Sequence, residues 1–327
     1  MKAILVDAEK NLVWSDVETP AIRPDEVLVK IHAAALNRAD LLQREGKYPP
    51  PAGCPEWMGL EIAGEIVETG GEVPRWKVGD RVCALLGGGG YAEYAAVKYD
   101  MLMPVPKGLT MEEASALPEA YATSYLNLFL EGHLEKGQTA FIPAGASGLA
   151  SVAIPMAKAF GARVITSVLS DEIAEKIKDL GADVIINSGK ECVEKVLENE
   201  EKNGMPVNVS MDCLSGEALG KSLPFMARGG YWIVISTLAG VETKVLLRPL
   251  LTKGLHLVGS MLRNRTPEFK AYLLSELVKN VWPKIENGEI RPTIYKVFPI
   301  EQAQDAHAVL ERSENVGKVV LKVCGDE

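Results

Sequence analysis

The chain contains no run of about 18 uncharged apolar residues, so no membrane-spanning helix is expected. Positive charge is not in excess: 35 Lys and Arg against 44 Asp and Glu leave a formal charge of −9. That balance argues against nucleic acid or an anionic membrane as partner. Cysteine is sparse. Cys54, Cys83, Cys192, Cys213 and Cys324 are odd in number, scattered, and form no C-x-x-C pair. The pattern fits reduced thiols, small residues buried in the core of a cytoplasmic protein. Histidine is sparser still, and His32, His133, His256 and His307 fall in separate elements. A catalytic zinc needs about three N, O or S ligands converging on one point, so no metal is expected. The stretch Met1–Asp7 turns polar too quickly for a signal peptide and reads as an opening strand. Internal repeats and low-complexity tracts are lacking as well.

What is present suits a globular protein. The 327 residues are 47% hydrophobic and 24% charged, which predicts about two domains, each large enough for its own core. In the first third, residues 26–33 alternate around Val27, Val29 and Ile31. Gly64–Val67, Val78–Val82 and Tyr91–Val97 are further short runs between Gly, Pro and Asp punctuation. They predict a compact antiparallel or barrel-like β domain. The rhythm changes near Pro118. Strands are predicted at 139–142, 163–167, 183–187, 207–212, 231–235 and 255–260, with helices at 149–160, 171–180, 191–202 and 217–226. Strands alternating with crossover helices predict an α/β domain with a doubly wound parallel sheet. One long amphipathic helix at 267–286, a strand at 293–297, a helix at 300–313 and a strand at 318–323 follow. This tail could return to the first domain.

The strongest chemical signal is the loop between the first of these strands and its helix, Gly145-Ala146-Ser147-Gly148-Leu149-Ala150. Glycines let a backbone approach a pyrophosphate, whose charge rests against the N–H groups opening a helix. Gly145 and Gly148 fit that role, and Ala150 stands where a last glycine would pack helix on strand. The plain alternative is an ordinary strand–helix turn. The second strand ends Thr166-Ser167-Val168-Leu169-Ser170, which makes Ser167 and Ser170 candidate cofactor contacts. The first acid, Asp171, serves either the adenosine ribose or the first turn of a helix. Lys176 and Lys178 lie further along, so the local sequence leaves NADH and NADPH equally open.

Taken together, the segments resemble the medium-chain dehydrogenase/reductase superfamily over essentially the whole chain. Residues 59–67 and 78–82 match its N-terminal domain. Leu36–Arg44, Gly46–Pro50, Leu262–Arg265 and Val316–Leu321 resemble its zinc-independent quinone oxidoreductases, in particular the tumour-suppressor-inducible type. The resemblance implies a GroES-like substrate domain (1–120, returning at 263–327) interrupted by a Rossmann domain (121–262). It also implies a homodimer or homotetramer, and reduction of quinones or activated C=C bonds with NADPH. Zinc-dependent relatives carry a His at the place of Leu60 and a Cys near Asn37-Arg38-Ala39-Asp40, so the resemblance too implies no zinc.

By the same resemblance, Tyr48 is the candidate proton donor and Asn37 lies near the nicotinamide. Tyr48 could equally pack on Pro49–Pro51, and Asn37 could simply stabilise a turn. Arg263 would face the cofactor or form a surface ion pair; Tyr121 and Thr123 would touch the nicotinamide; Glu61 would pair with an arginine. The family's readers of the 2′-phosphate align with Leu169, Ile173 and Ser188, none of them cationic, which implies selectivity that is relaxed or shifted toward NADH. Pro155 interrupts the helix after the glycine loop. Two rival functions fit these departures: a nucleotide sensor that no longer catalyses, and a double-bond reductase dedicated to one metabolite.

Overall fold

A computed structural model of the chain describes residues 1–323, so Cys324 lies outside the described residues. The chain divides into two compact units. One is built from residues 1–122, 266–288 and 292 onward; the other from 123–265 with 289–291.

The first unit opens with an antiparallel hairpin, β1 (Lys2–Val6) and β2 (Leu12–Asp16). Next come β3 (Glu26–Ala35), helix α1 (Arg38–Arg44), β4 (Glu61–Thr69), β5 (Arg81–Leu85), β6 (Tyr94–Lys98) and β7 (Leu102–Pro104). Strand β3 is buried along most of its ten residues because strands flank it on both sides: it pairs antiparallel with β4 and with β6. Helix α2 (Met111–Ser115) begins at a Thr110/Glu113 capping box, in which each side chain satisfies the other residue's N–H. Helix α3 (Pro118–Tyr125) crosses the boundary between the units.

The second unit alternates strand and helix: β8 (Thr139–Ile142), α4 (Ala150–Ala159), β9 (Arg163–Val168), α5 (Asp171–Ile177), β10 (Val184–Asn187), α6 (Val193–Lys202), β11 (Val207–Asp212), α7 (Gly216–Ser222), β12 (Met226–Val234), α8 (Leu247–Lys253) and β13 (His256–Gly259). The strands form one parallel sheet in the order β10-β9-β8-β11-β12-β13. The order reverses at β8, the switch point beside which open α/β sheets bind ligands. Side chains on the two faces of the sheet form separate apolar clusters, one around Ile142, Ile154 and Val164, the other around Phe141, Leu197 and Trp232. Pro155 sits in the interior of α4, beyond the first turn where its missing N–H would be harmless.

The chain then supplies α9 (Pro267–Asn280), α10 (Trp282–Glu286), β14 (Ile294–Pro299), α11 (Ala303–Glu311) and β15 (Lys318–Lys322) to the first unit. The single helix expected over 267–286 is two. It breaks at Val281, next to Trp282-Pro283, because proline suits the first turn of a new helix and not the interior of an old one. Strand β15 pairs antiparallel with β3 and parallel with β14, completing a seven-stranded sheet. Cys83 is buried as expected, and Cys54 and Cys213 are partly so, but Cys192 is exposed. It precedes the first residue of α6, in which Leu197 is the buried residue. No helix among the described residues is long and apolar enough to cross a membrane.

Candidate functional site

The loop between β8 and α4 is built closely onto β9. The Gly145 N–H donates to Ser167 O at 2.9 Å. A Cβ at Gly145 would stand 2.5 Å from Thr166 Oγ1 and 2.8 Å from Ile177 Cδ1, so only glycine fits. Thr166 is held in turn by its hydroxyl, which donates to Ile142 O at 2.6 Å. Ala144 adopts φ 56°, the left-handed region that favours glycine, and is a strained residue missed by the sequence reading. Ser147 turns the chain into α4: its N–H donates to Ala144 O at 2.9 Å and its Oγ accepts from Ala150 N at 3.1 Å. Leu149, at the N-cap position, makes no side-chain cap, and among the described residues no protein acceptor meets the N–H of Gly148 or Leu149. Unpaired amides at the start of a ten-residue helix, beside the switch point, suit a pyrophosphate.

At the end of β9 a carboxylate and an ammonium stand together. Asp171 opens α5 behind the cap Ser170, whose Oγ accepts from Ile173 N at 3.3 Å. The Asp171 carboxylate accepts from Asn187 Nδ2 at 2.5 Å and from Lys190 Nζ. These partners hold it below the usual carboxylate range, the Lys190 contact most of all. Lys190 follows β10 and gave no sequence signal, because its relation to Asp171 is fixed only by sheet order. Ser188 bonds back to Val168 O, and Leu169 is 76% exposed. Lys176 and Lys178 pair with Glu172 and Glu175 on their own helix face.

In the first unit, Asn37 and Glu61 belong to a buried charge network. The Lys318 ammonium, 4% exposed, donates to Leu36 O at 2.7 Å, Asn37 Oδ1 at 2.8 Å and Glu61 Oε1 at 2.7 Å. All three of its protons are engaged. Glu61 Oε1 also accepts from Asn37 Nδ2 at 3.0 Å, and Oε2 accepts from Glu119 N at 2.8 Å. The expected arginine partner of Glu61 is thus a lysine 257 positions away. Asp40, the N3 residue of α1, accepts from Asn37 N at 2.7 Å, Tyr91 OH at 3.0 Å and Gly59 N at 3.4 Å. Burial outweighs these donors and pushes the Asp40 carboxyl up to about 6. Both ends of the Asn37 amide are committed to the ion pair.

Tyr48 lies half-buried in the loop after α1. Thr123 is also half-buried, and its carbonyl accepts from Asn127 Nδ2 at 2.7 Å. Tyr121 is fully buried, meets Trp282 edge-on at 6.5 Å, and finds no partner for its hydroxyl among the described residues. Arg263 is half-buried, whereas its neighbour Arg265 pairs with Glu131. Among the described residues, no group of three or more His, Cys, Asp or Glu is placed to hold a metal ion.

Comparisons with known proteins agree with this architecture. Residues 23–107 match the alcohol dehydrogenase GroES-like domain, and residues 148–279 match the family described as zinc-binding dehydrogenase. A quinone oxidoreductase-like protein 2 homolog of Nematostella vectensis is 31% identical over 318 residues, covering 95% of this chain and 86% of the relative. The quinone oxidoreductase of Mus musculus is 28% identical over 311 residues, 94% of this chain and 92% of that one. Among solved structures, the quinone oxidoreductase of Pseudomonas syringae pv. Tomato DC3000 superposes with a TM-score of 0.85 at 27% identity, covering 98% of this chain and 99% of that chain. The chain therefore belongs to the medium-chain dehydrogenase/reductase superfamily of oxidoreductases, in its quinone oxidoreductase-like subgroup.

Proposed function

We propose that this protein is a zinc-independent reductase that passes a hydride from NADH or NADPH to a quinone or to the activated C=C bond of an unsaturated carbonyl. The observation that carries the reading is the loop Gly145–Ala150, with unpaired amides at the switch point of a parallel sheet. The bound dinucleotide supplies the hydride. The chain's own work is to bind, to orient and to exclude water. The amides of Gly148 and Leu149 receive the pyrophosphate, Ala146 and Ser147 shape the turn beneath it, and Ser167, Ser170, Thr123 and Arg263 serve the rest of the cofactor. Asn37 fixes the corner between β3 and α1, and the Tyr48 hydroxyl offers a hydrogen bond to the acceptor oxygen. Zinc independence rests on the donors present: Leu60 precedes Glu61, and Glu61 is already bound by Lys318.

Cofactor selectivity is relaxed in this reading, because a carboxylate and an ammonium stand together at the end of β9. Fluorescence titration is expected to give dissociation constants for NADH and NADPH within about tenfold of each other, a difference of about 1.4 kcal/mol. Oxidation of either cofactor by simple quinones and enones tests the reductase itself. Failure of both cofactors to bind sinks the whole reading. Binding without turnover across a broad acceptor panel identifies a nucleotide sensor instead.

We also propose that the protein is a homodimer joined through β13. Among the described residues this strand pairs only with β12. Leu246, Leu247, Leu251, Leu257 and Met261, on and beside it, are 44–82% exposed. An unpaired apolar edge is a template for another strand, and two copies of β13 pair antiparallel about a twofold axis. Light scattering should give twice the chain mass of 35.4 kDa, and the chain mass itself for a Leu251→Asp/Leu257→Lys variant. A wild-type monomer would remove the proposal; a tetramer would call for a second interface.

A further inference from the structure

The first unit holds a cavity of about 480 Å³, every wall of which belongs to that unit. Its lining includes neither the Gly145 loop nor the Lys318–Glu61 pair. The volume falls within the ~300–1,000 Å³ of small-molecule sites. One wall is a stripe of α9: Ala271, Leu274, Ser275, Val278 and Lys279 recur at the three- and four-residue spacing that brings side chains to one helix face. Leu102 and Pro104 of β7 supply another. Leu102 and Leu274 are each 2% exposed, so both walls are anchored in packed apolar surroundings. Trp282, just beyond α9, donates its Nε1–H to Pro104 O at 2.7 Å and ties the helix to the strand. The remaining wall comes from the connection between β4 and β5. There the Trp76 indole is fixed by its N–H, which donates to Tyr99 O at 2.9 Å. The Arg75 guanidinium lies over that ring, 5.2 Å from its centroid. Stacking of this kind leaves the in-plane N–H donors free to bind.

We propose that this cavity binds a small aromatic monocarboxylate, whose ring lies against Leu102 and the apolar stripe of α9 and whose carboxylate accepts from Arg75 and Arg81. The charges around the cavity select the sign. Arg75, Arg81 and Lys279 stand against Asp80 and Asp100, an excess of one positive charge on a chain whose formal charge is −9. Both carboxylates are engaged: Asp100 Oδ2 holds Lys98 at 3.1 Å, and Asp80 Oδ2 accepts from Lys77 N at 2.9 Å. Lys279 is engaged too, with Glu276 at 3.4 Å. Arg75 and Arg81 form no ion pair and no side-chain hydrogen bond among the described residues. Glu65 stands opposite Arg81 in the β4–β5 register without closing an ion pair on it. Two guanidinium groups without a carboxylate suit a planar anion, which takes parallel N–H donors. A single excess charge matches a monoanion; a phosphate dianion would meet Asp80 and Asp100 as well. The apolar walls call for a ligand with an apolar body, and the rigid Trp76 edge favours a flat one.

The test is calorimetric titration of the intact protein with naphthoate, without cofactor or acceptor, so its outcome does not depend on the reductase reading. One site per chain is expected. Naphthamide, which keeps the shape and lacks the charge, should bind roughly tenfold more weakly or worse. Arg75→Gln and Arg81→Gln should each weaken naphthoate by a similar factor, and the double variant by more. Both side chains are exposed, so the fold should be kept, which thermal unfolding checks. Ala271→Trp, which fills the cavity from the α9 wall, should abolish uptake while leaving the two arginines in place. Absence of heat with naphthoate overturns the proposal. Wild-type affinity in the double arginine variant overturns it too, since the anion would then sit elsewhere on the protein. Equal binding of naphthamide would show that charge plays no part, and tighter binding of inorganic phosphate than of naphthoate would overturn the assignment to a carboxylate.

Discussion

Lys318→Met should cost the protein about 3–5 kcal/mol of unfolding free energy, the range for removing one partner of a buried ion pair. The lysine is 4% exposed and Glu61 is 0% exposed, so water cannot replace the lost ammonium. The variant strands more than the Glu61 charge. Leu36 O and Asn37 Oδ1 lose their donor, and each orphaned buried acceptor adds its own desolvation cost. Adding Glu61→Gln should recover a large part of the loss, because the amide has no net charge: its oxygen accepts from the Glu119 N–H, and its NH2 donates to Asn37 Oδ1 once the Asn37 amide flips. Denaturant unfolding of the two single variants and the double variant closes the cycle. The expected coupling is well above the ~1 kcal/mol of an exposed pair. Lys318→Arg should not rescue, since a planar guanidinium cannot aim three donors as an ammonium does. A Lys318→Met protein within 1 kcal/mol of wild type, the scale of an exposed pair, would show that water reaches Glu61 after all.

This pair also marks the limit of what the sequence could say about the site. Glu61 drew notice through the glycine-flanked segment around it, and Asn37 through the family resemblance of the segment Leu36–Arg44. Neither segment carries a signal for Lys318, which the chain delivers only after the second unit is complete. Its position is set by the antiparallel pairing of β15 with β3, in which Val320 stands opposite Ala35. Sequence reading recovers contacts that a local period or a fixed spacing encodes. The loop at Gly145 is such a case, because strand, turn and helix follow one another directly. Glu119 and Lys190 are not, because each acts on residues brought near only by folding.

The fold was legible for the same reason. Six apolar strands separated by helices admit few topologies besides a parallel sheet, and the predicted strand at 207–212 coincides with β11. Boundaries drifted where regular structure tapers rather than ends. The helix expected over 171–180 stops at Ile177, and a 3₁₀ turn covers Lys178–Leu180. Strand β12 starts at Met226, earlier than the expected Tyr231, because Arg228-Gly229-Gly230 breaks the apolar pattern without breaking the strand. Hydropathy followed along the chain responds to side chains, whereas the pairing with β11 and β13 is made by the backbone.

A second large effect is expected from His307, on acidification. The imidazole sits on α11, 0% exposed, edge-on to Tyr91 at 5.9 Å, and neither ring nitrogen has a partner among the described residues. Burial, and then the nearby positive charge of Arg44, lower its pKa from 6.5 to about 3. A base whose folded pKa is depressed supports the fold fully above its unfolded pKa. That support is lost as pH falls from 6.5 toward 3, where the unfolded chain binds a proton that the native protein refuses. At pH 4.5 the penalty reaches about 3 kcal/mol, at 1.36 kcal/mol per pH unit. Asp40, raised from 3.8 to about 6, and Glu119, raised from 4.5 to about 7, act in the opposite direction. The native protein takes up those protons first, so each adds stability as pH falls through its folded pKa. The wild-type profile is therefore shallow, and only a variant separates the terms. His307→Phe keeps the edge contact with Tyr91 and removes the titration. Whatever constant cost the bulkier ring brings, its stability relative to wild type should rise by about 3 kcal/mol between pH 7.5 and pH 4.5. Asp40→Asn should show the inverse trend over the same interval. A His307→Phe difference that stays flat with pH would mean that the imidazole finds a proton partner within the fold, and the acid-sensitive contact would have to be sought elsewhere.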